Sequence, residues 1–359
     1  MLGQEMINQN NFAGEILRAT MDGMKQDQKS MIMGLGVTDP KGVFGTTFGL
    51  AENFGTERVI ETPTSENAMT GIGVGLAISG HRTILVHQRL DFFLLAMDQL
   101  VNSAAKWHYM YGGQKSVPLT IRLVLGRGWG QGPTHSQNLH AWFAHIPGLK
   151  VLMPAFTEDV YPMLSAAIND PNPVIFLEDR WLHSQYGNTK GQDSDSKFEF
   201  GKAKLVRKGS DLTIISSGYS SVLSLNAAEY LAKNGVDAEL IDLRSIKPLD
   251  SDSIIESVKK TGKVLIVDSG HEFSGFASEI VKLIVTNSFS CLKSAPSVIA
   301  GRDVPEPTSH GVIGDFKFGA FEIAQKAFEL ISKTTPIDCK NSLKPLSSDV
   351  PDENFKGPF

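Results

Sequence analysis

Two side chains stand where their type and surroundings could do chemistry: a carboxylate, Glu66, and an imidazole, His135. Glu66 falls in ETPTSENAMTGIGVGLAISG, where a short β-branched strand (Arg58–Glu61) and a turn at Pro63 lead into a helix rich in small residues. Ser65 is a favourable N-cap residue, and the helix dipole favours a carboxylate in the first turn, which accounts for Glu66 without giving it a task. Pressed between an apolar strand and an apolar helix, the same carboxylate also suits a ligand site shared with His135. His135 lies in GPTHSQ, at the end of the run GRGWGQG (Gly126–Gly132) that follows a strand pattern. A glycine-rich loop at a strand end is where open α/β sheets put ligands; a long connection carrying an idle polar histidine has the same composition.

Other patterns lead away from chemistry. In GIGVGLAISG (Gly71–Gly80) the glycines fall inside the helix, not in a strand-to-helix turn, so they suit close helix packing at Gly71 and Gly75 and not dinucleotide binding. His135, His140 and His145 would point in different directions on a helix, and no carboxylate or cysteine completes a metal set. Neither a Gly-x-Ser-x-Gly elbow nor a phosphate-binding P-loop is present.

The elements that must position these residues form two α/β domains, as 359 residues allow. Residues 1–185 alternate short strands (Met31–Leu35, Arg58–Glu61, Thr83–His87, Leu119–Leu125, Val151–Met153, Val174–Leu177) with helices (Phe12–Met24, Ser65–Ile78, Phe92–Met110, Glu158–Ile168), which implies a parallel sheet covered on both faces. Residues 186–202, with NTKGQDSDSK, read as a linker, 203–334 as a smaller α/β domain, and 335–359 as an extended or disordered tail. A net charge of −5 without a Lys/Arg block argues against nucleic-acid binding, and no apolar run would span a membrane. Cys291 and Cys339 form no motif, and the segment MLGQEMINQNNF reads as neither secretory signal nor transit peptide, so a cytoplasmic location is expected.

Several of these stretches together resemble the beta subunit of the first component of 2-oxo acid dehydrogenase complexes, of the pyruvate or branched-chain type. The likeness runs through ETPTSENAMTGIGVGLAISG, AMDQLVNSAAKWHYMYGGQ with VPLTIR, GPTHSQ, PGLKVLMP, NDPNPVIFLED, DAELIDLRSIKPLD and KVLIVD, in one colinear order from about Gly34 to Leu330. The resemblance implies a transketolase-type pyrimidine-binding domain followed by a transketolase C-terminal-like domain. It also implies a thiamine diphosphate enzyme split over two chains, which oxidatively decarboxylates a 2-oxo acid and passes the acyl group to a lipoyl acceptor. An alpha-type partner would bind the diphosphate through magnesium with a Gly-Asp-Gly motif that this sequence lacks. An alpha2-beta2-like assembly follows, with a lipoyl acyltransferase as a further partner.

Carried over by position, the resemblance makes Glu66 the cofactor-activating glutamate, hydrogen-bonded to the aminopyrimidine ring. It makes Phe92 the aromatic residue stacked on that ring, with Gln88 beside the cofactor, and His135 the histidine on the substrate side. Leu119, Ala167, Ile168, Asp170 and Asn172 match positions that hold a structural potassium ion; a Pro-bounded turn after a helix is the plainer reading of the same residues.

Departures from the pattern bear on function. The acidic pair that usually follows the first strand is absent from Gly34-Leu35-Gly36-Val37, which puts coupling between paired sites in question. His87-Gln88-Arg89-Leu90-Asp91 replaces an aromatic, Met-rich stretch and would suit a polar or anionic substrate. The alternatives are therefore a split transketolase or acyloin-type carboligase, and a scaffold subunit that kept the fold and lost the chemistry.

Overall fold

The computed structural model describes residues 10–39, 43–127, 130–187, 198–314 and 316–343. The described residues divide into two compact units: those up to Gly126 with Trp142–Glu199 in the first, and those of Arg127–Ala141 and 200–343 in the second. Most of the expected linker, and the tail beyond residue 343, lie outside the described residues.

In the first unit, β1 (Ser30–Gly34), β2 (Val59–Glu61), β3 (Arg82–His87), β4 (Leu119–Leu125), β5 (Lys150–Leu152) and β6 (Val174–Asp179) run side by side in the order β5-β6-β4-β3-β1-β2. The pairs within this order are all parallel. β4 and β6 are buried along their whole length, as near-continuous apolar runs require in a sheet covered on both faces. Helix Phe12–Gln26 is capped by Asn11, whose Oδ1 accepts from the Gly14 amide at 2.8 Å, and helix Thr157–Asn169 packs beside it, with Arg18 over the Tyr161 ring.

Two expectations change here. Phe92–Met110 is not one helix: Leu90–Phe93 is α, Leu94–Ala96 is 3-10, Gln99–Ala104 is π and Ala105–Met110 is α again. An inserted π turn leaves apolar residues every three or four positions, so the pattern reads as unbroken. In helix Glu66–Ile78, Ser65 occupies the N-cap position, but its side chain makes no capping hydrogen bond. A Cβ at Gly71 would meet the Gln99 side chain, whereas Gly75 faces nothing within 4 Å; it is Gly73 that packs on the sheet, against Leu119, Thr83 and Leu85.

In the second unit, β7 (Lys204–Arg207), β8 (Leu212–Ser216), β9 (Ala238–Asp242), β11 (Val264–His271) and β12 (Ser297–Gly301) form a sheet in the order β12-β11-β8-β9-β7, with only β7 antiparallel to its neighbour; β10 (Ser245–Lys247) follows β9 in the chain. Leu212, Ile214, Leu240 and Leu265 of the sheet pack with Ala228 and Leu231 of helix Tyr219–Lys233 and with Ala324 and Phe328 of helix Ala320–Leu330. Helix Ser251–Thr261 starts at Asp250, which accepts from the Ser253 amide, and stops at Gly262 with φ +73°.

Candidate active site

Parallel α/β sheets bind ligands beyond the carboxyl ends of their strands, and Glu66, Gln88 and Phe92 all follow strand ends at that edge of the first unit's sheet. Glu66 opens the helix that follows β2, and its side chain is buried at 8% exposure. The turn after β1 is fixed by Glu61, which accepts hydrogen bonds from the amides of Gly36 (2.6 Å) and Thr38 (3.0 Å) and from Thr38 Oγ1 (2.9 Å). A carboxylate from β2 thus does the local work at a turn that carries no acidic residue beside its glycines. Gln88 Nε2 donates to the Leu35 carbonyl at 3.1 Å and covers Gly36, whose φ of +74° favours glycine and where a Cβ would push the Gln88 amide aside.

His87, at the end of β3, is buried against Thr70 Oγ1 (3.4 Å) and the edge of Phe93, and burial pushes its pKa down to about 3. It is therefore a neutral spacer at neutral pH. Phe92, the third residue of the following short helix, is 42% exposed and presents a ring that a planar ligand could stack on. A buried carboxyl group and a partly exposed aromatic ring on one edge fit an aminopyrimidine, which needs a hydrogen-bonding partner for its ring nitrogen and a flat apolar surface.

More charge collects at the same edge. Arg122, almost fully buried on β4, donates from Nε (2.5 Å) and Nη2 (3.0 Å) to Glu178 on β6, and also from Nη2 to Thr46 Oγ1 (2.7 Å). His183 lies 3.2 Å from Glu178. Burial pushes the Glu178 carboxyl up, but Arg122 and His183 outweigh it and hold the group down at about 2. Beyond them, Asp179 is pushed up to about 7 by burial, and Arg180 down to about 10 by burial and by the charge of Arg89. Sequence reading singled out Arg89 only as part of a polar stretch and missed Arg180, because FLEDR reads as a strand end.

His135 belongs to the second unit, whereas Glu66, Gln88 and Phe92 belong to the first. Its loop is tied down within that unit at several points. Arg127 Nη1 donates to Glu306 at 2.7 Å, Asn138 Nδ2 to the Ser269 carbonyl at 3.1 Å, and Gly130 and Gly132 (φ +64° and +72°) press against Thr308. His135 is half-buried, with Nδ1 2.9 Å from Thr134 Oγ1. His140, fully buried, lies 2.9 Å from Asp268 Oδ1. Burial raises the Asp268 carboxyl, but His140 and the amides of Gly270 and Ala277 outweigh that and leave it below the usual range. His140 is thus an anchor of the loop, a role its spacing from other histidines could not reveal.

The residues matched to a potassium site lie at the opposite, amino edge of the first sheet. Leu119 begins β4, Ala167 and Ile168 lie in the last turn of helix Thr157–Asn169, and Asp170 and Asn172 in the turn between that helix and β6. Cations of the chain already occupy much of this turn: Lys150 Nζ binds the Asp170 carboxylate, and Arg82 Nη1 donates to the Ile168 carbonyl at 3.1 Å. The Asn172 Oδ1 atom is a buried acceptor without a hydrogen-bond partner, and it is the feature of the turn that suits an added cation. Among the described residues, no group of three or more His, Cys, Asp or Glu side chains could hold a metal ion, and no helix is long and apolar enough to cross a membrane.

Comparison with known proteins agrees with this architecture. Residues 14–184 match the transketolase pyrimidine binding domain and residues 201–320 the transketolase C-terminal domain. The chain is 41% identical over 294 residues to the pyruvate dehydrogenase E1 component subunit beta of Rickettsia felis, covering 82% of this chain and 90% of that one. It is 43% identical over 286 residues to the mitochondrial beta-1 subunit of Arabidopsis thaliana, covering 79% of each. Against the Rhizobium meliloti subunit the identity is 41%, and the chain spans 64% of that protein's length. A solved split-gene transketolase, described as an inactive beta4 tetramer, shares the fold with a TM-score of 0.73 at 20% identity, covering 89% of this chain and 98% of that one. The chain belongs to the pyruvate dehydrogenase E1 beta-subunit family, a family of thiamine-diphosphate-dependent 2-oxo acid dehydrogenase components.

Proposed function

We propose that this chain is the beta-type subunit of a two-chain thiamine diphosphate enzyme that cleaves the bond beside the ketone of a 2-oxo acid and hands on the acyl unit, with a lipoyl group as acceptor. The observation that carries the reading is Glu66: a carboxyl group buried at 8% exposure at the carboxyl edge of the sheet, on the same edge as the partly exposed ring of Phe92. Bound thiamine diphosphate would supply the carbanion chemistry that the protein's own side chains lack. Glu66 would hold a proton shared with the aminopyrimidine ring nitrogen, Phe92 and Gln88 would fix that ring, and His135 would take or give a proton on the substrate side. Magnesium is assigned to an alpha-type partner, and a potassium ion to the turn at Asn172. An alpha2-beta2-like assembly, docking to a lipoyl acyltransferase and residence in the cytoplasm complete the reading. Relatives named as E1 beta subunits support the subunit role. A second reading, a split transketolase or carboligase acting on a polar keto compound, is favoured by Gln88 and Arg89 at the same edge.

The test is Glu66→Gln in the enzyme reconstituted with its alpha-type partner. Turnover is expected to fall by about a hundredfold or more while thiamine diphosphate still binds. Near-normal turnover would sink the assignment.

A further inference from the structure

The loop that carries His135 ends on a buried pair that the proposed chemistry leaves without a task. His140 is fully buried, and its Nε2 stands 2.9 Å from Oδ1 of Asp268, itself 4% exposed. The approach is oblique to the ring N–H, so closeness to a carboxylate makes the contact and not a linear hydrogen bond. Nδ1 has no hydrogen-bond partner, which leaves Asp268 as the imidazole's one polar partner among the described residues. Phe276 meets the ring edge-on at 6.0 Å, and Gly270 lies against it, since a Cβ there would stand 3.0 Å from His140 Cε1.

Asp268 is a fixed point. It lies near the carboxyl end of β11 and accepts from the Gly270 amide at Oδ1 (2.8 Å). Its Oδ2 accepts from the amide of Ala277, in the first turn of helix Phe276–Ser288, at 2.9 Å. Among the described residues no side chain other than His140 pairs with it. The next residue, Ser269, takes the Asn138 side chain on its carbonyl at 3.1 Å. Asp268, Ser269 and Gly270 thus hold the loop at 138 and 140, on one side of His135, while Thr308 holds it at Gly132 on the other.

As a source of stability such a pair is poor, because taking a carboxylate and an imidazole out of water opposes the attraction between them. What it supplies is register. An imidazole enclosed by Phe276 and Gly270, with one carboxylate in reach, fits its seat in one way, so the segment back to Gly132 cannot slip along its floor.

We propose that His140 and Asp268 are a positioning pair for His135: buried themselves, they act through the loop and hold the His135 imidazole in one place. The part of His135 in proton transfer rests on the thiamine diphosphate reading; the dependence of its loop on the pair does not. Misplacing a reacting group by about 1 Å can cost on the order of a hundredfold in rate.

Hydrogen exchange of the full chain, without cofactor or partner, gives the first readout. In His140→Ala the amides of residues 130–139 should exchange about tenfold faster than in wild type, with those of β11 and of helix Phe276–Ser288 unchanged. His140→Gln, which keeps most of the volume and a donor beside Asp268, should recover much of the protection. Turnover of the enzyme reconstituted with its alpha-type partner gives the second. His140→Ala should lower kcat about tenfold or more, with KM and thiamine diphosphate affinity unchanged. Added to His135→Ala it should lower kcat no further, because nothing is left to position. Unchanged loop exchange in His140→Ala, faster exchange throughout the chain, or losses that multiply in the double variant would each overturn the proposal. Full kcat in His135→Ala alone would overturn the role given to His135, and with it the pair's part in the reaction, while the exchange result stands.

Discussion

Arg122 and Asp179 are two ways of burying charge on neighbouring strands, and they pull stability in opposite directions. Arg122 carries its charge into the sheet matched by a bidentate carboxylate, and Glu178, held down at about 2, contributes stability above its ordinary value of 4.5 that is lost as pH falls toward 2. Asp179 has no comparable partner, and its pKa is raised from 3.8 to about 7. Between those values the folded chain binds more protons than the unfolded chain, so this group's contribution falls as pH rises through that window. Asp179→Asn cannot ionise, and its melting temperature relative to wild type should therefore rise steadily from pH 4 to pH 7. Parallel melting curves across that range would show that Asp179 stays ionised in the folded chain.

The loop carrying His135 shows how an element holds a residue that has little support of its own. Gly132 combines φ +72° with a Thr308 hydroxyl where a Cβ would stand, so two separate costs attach to one substitution. Gly132→Ala should destabilise the chain by about 1–2 kcal/mol, and adding Thr308→Ala should recover the steric share while leaving the backbone share. Chemical denaturation of the two variants separates them; full recovery would mean that backbone strain contributes nothing. Much of this element was legible beforehand, because glycines after an apolar strand announce a ligand loop. Its anchors were not, since Asp268 and Thr308 lie far along the chain and spacing carries no information about them. The same limit hid β7, whose alternation Lys204-Leu-Val-Arg207 mixes charge with apolar residues, and the π turn at Gln99–Ala104, which keeps helical periodicity while shifting its phase. By contrast β4, β6, β8 and β11 were readable from their β-branched runs alone, and Glu66, Gln88 and Phe92, marked by the family resemblance, all follow strand ends at the carboxyl edge of the first sheet.

For the molecule as a whole, the order of residues in the chain and the order of residues in its bodies are interleaved. Arg127–Ala141 is encoded inside the first unit and built into the second, where Asp268, Ser269, Glu306 and Thr308 form its floor. Genetic exchange near residue 200 would therefore trade the floor and leave the loop behind. A chimera taking everything after residue 200 from the Rickettsia felis relative should melt lower than one that also takes that relative's equivalent of residues 127–141, and equal melting points would show that the loop does not depend on its floor. If the dependence holds, the unit of inheritance in this chain is neither domain. It is the second body together with a graft carried in the middle of the first, and neighbouring genes could exchange that body cleanly only by recombining at three points at once.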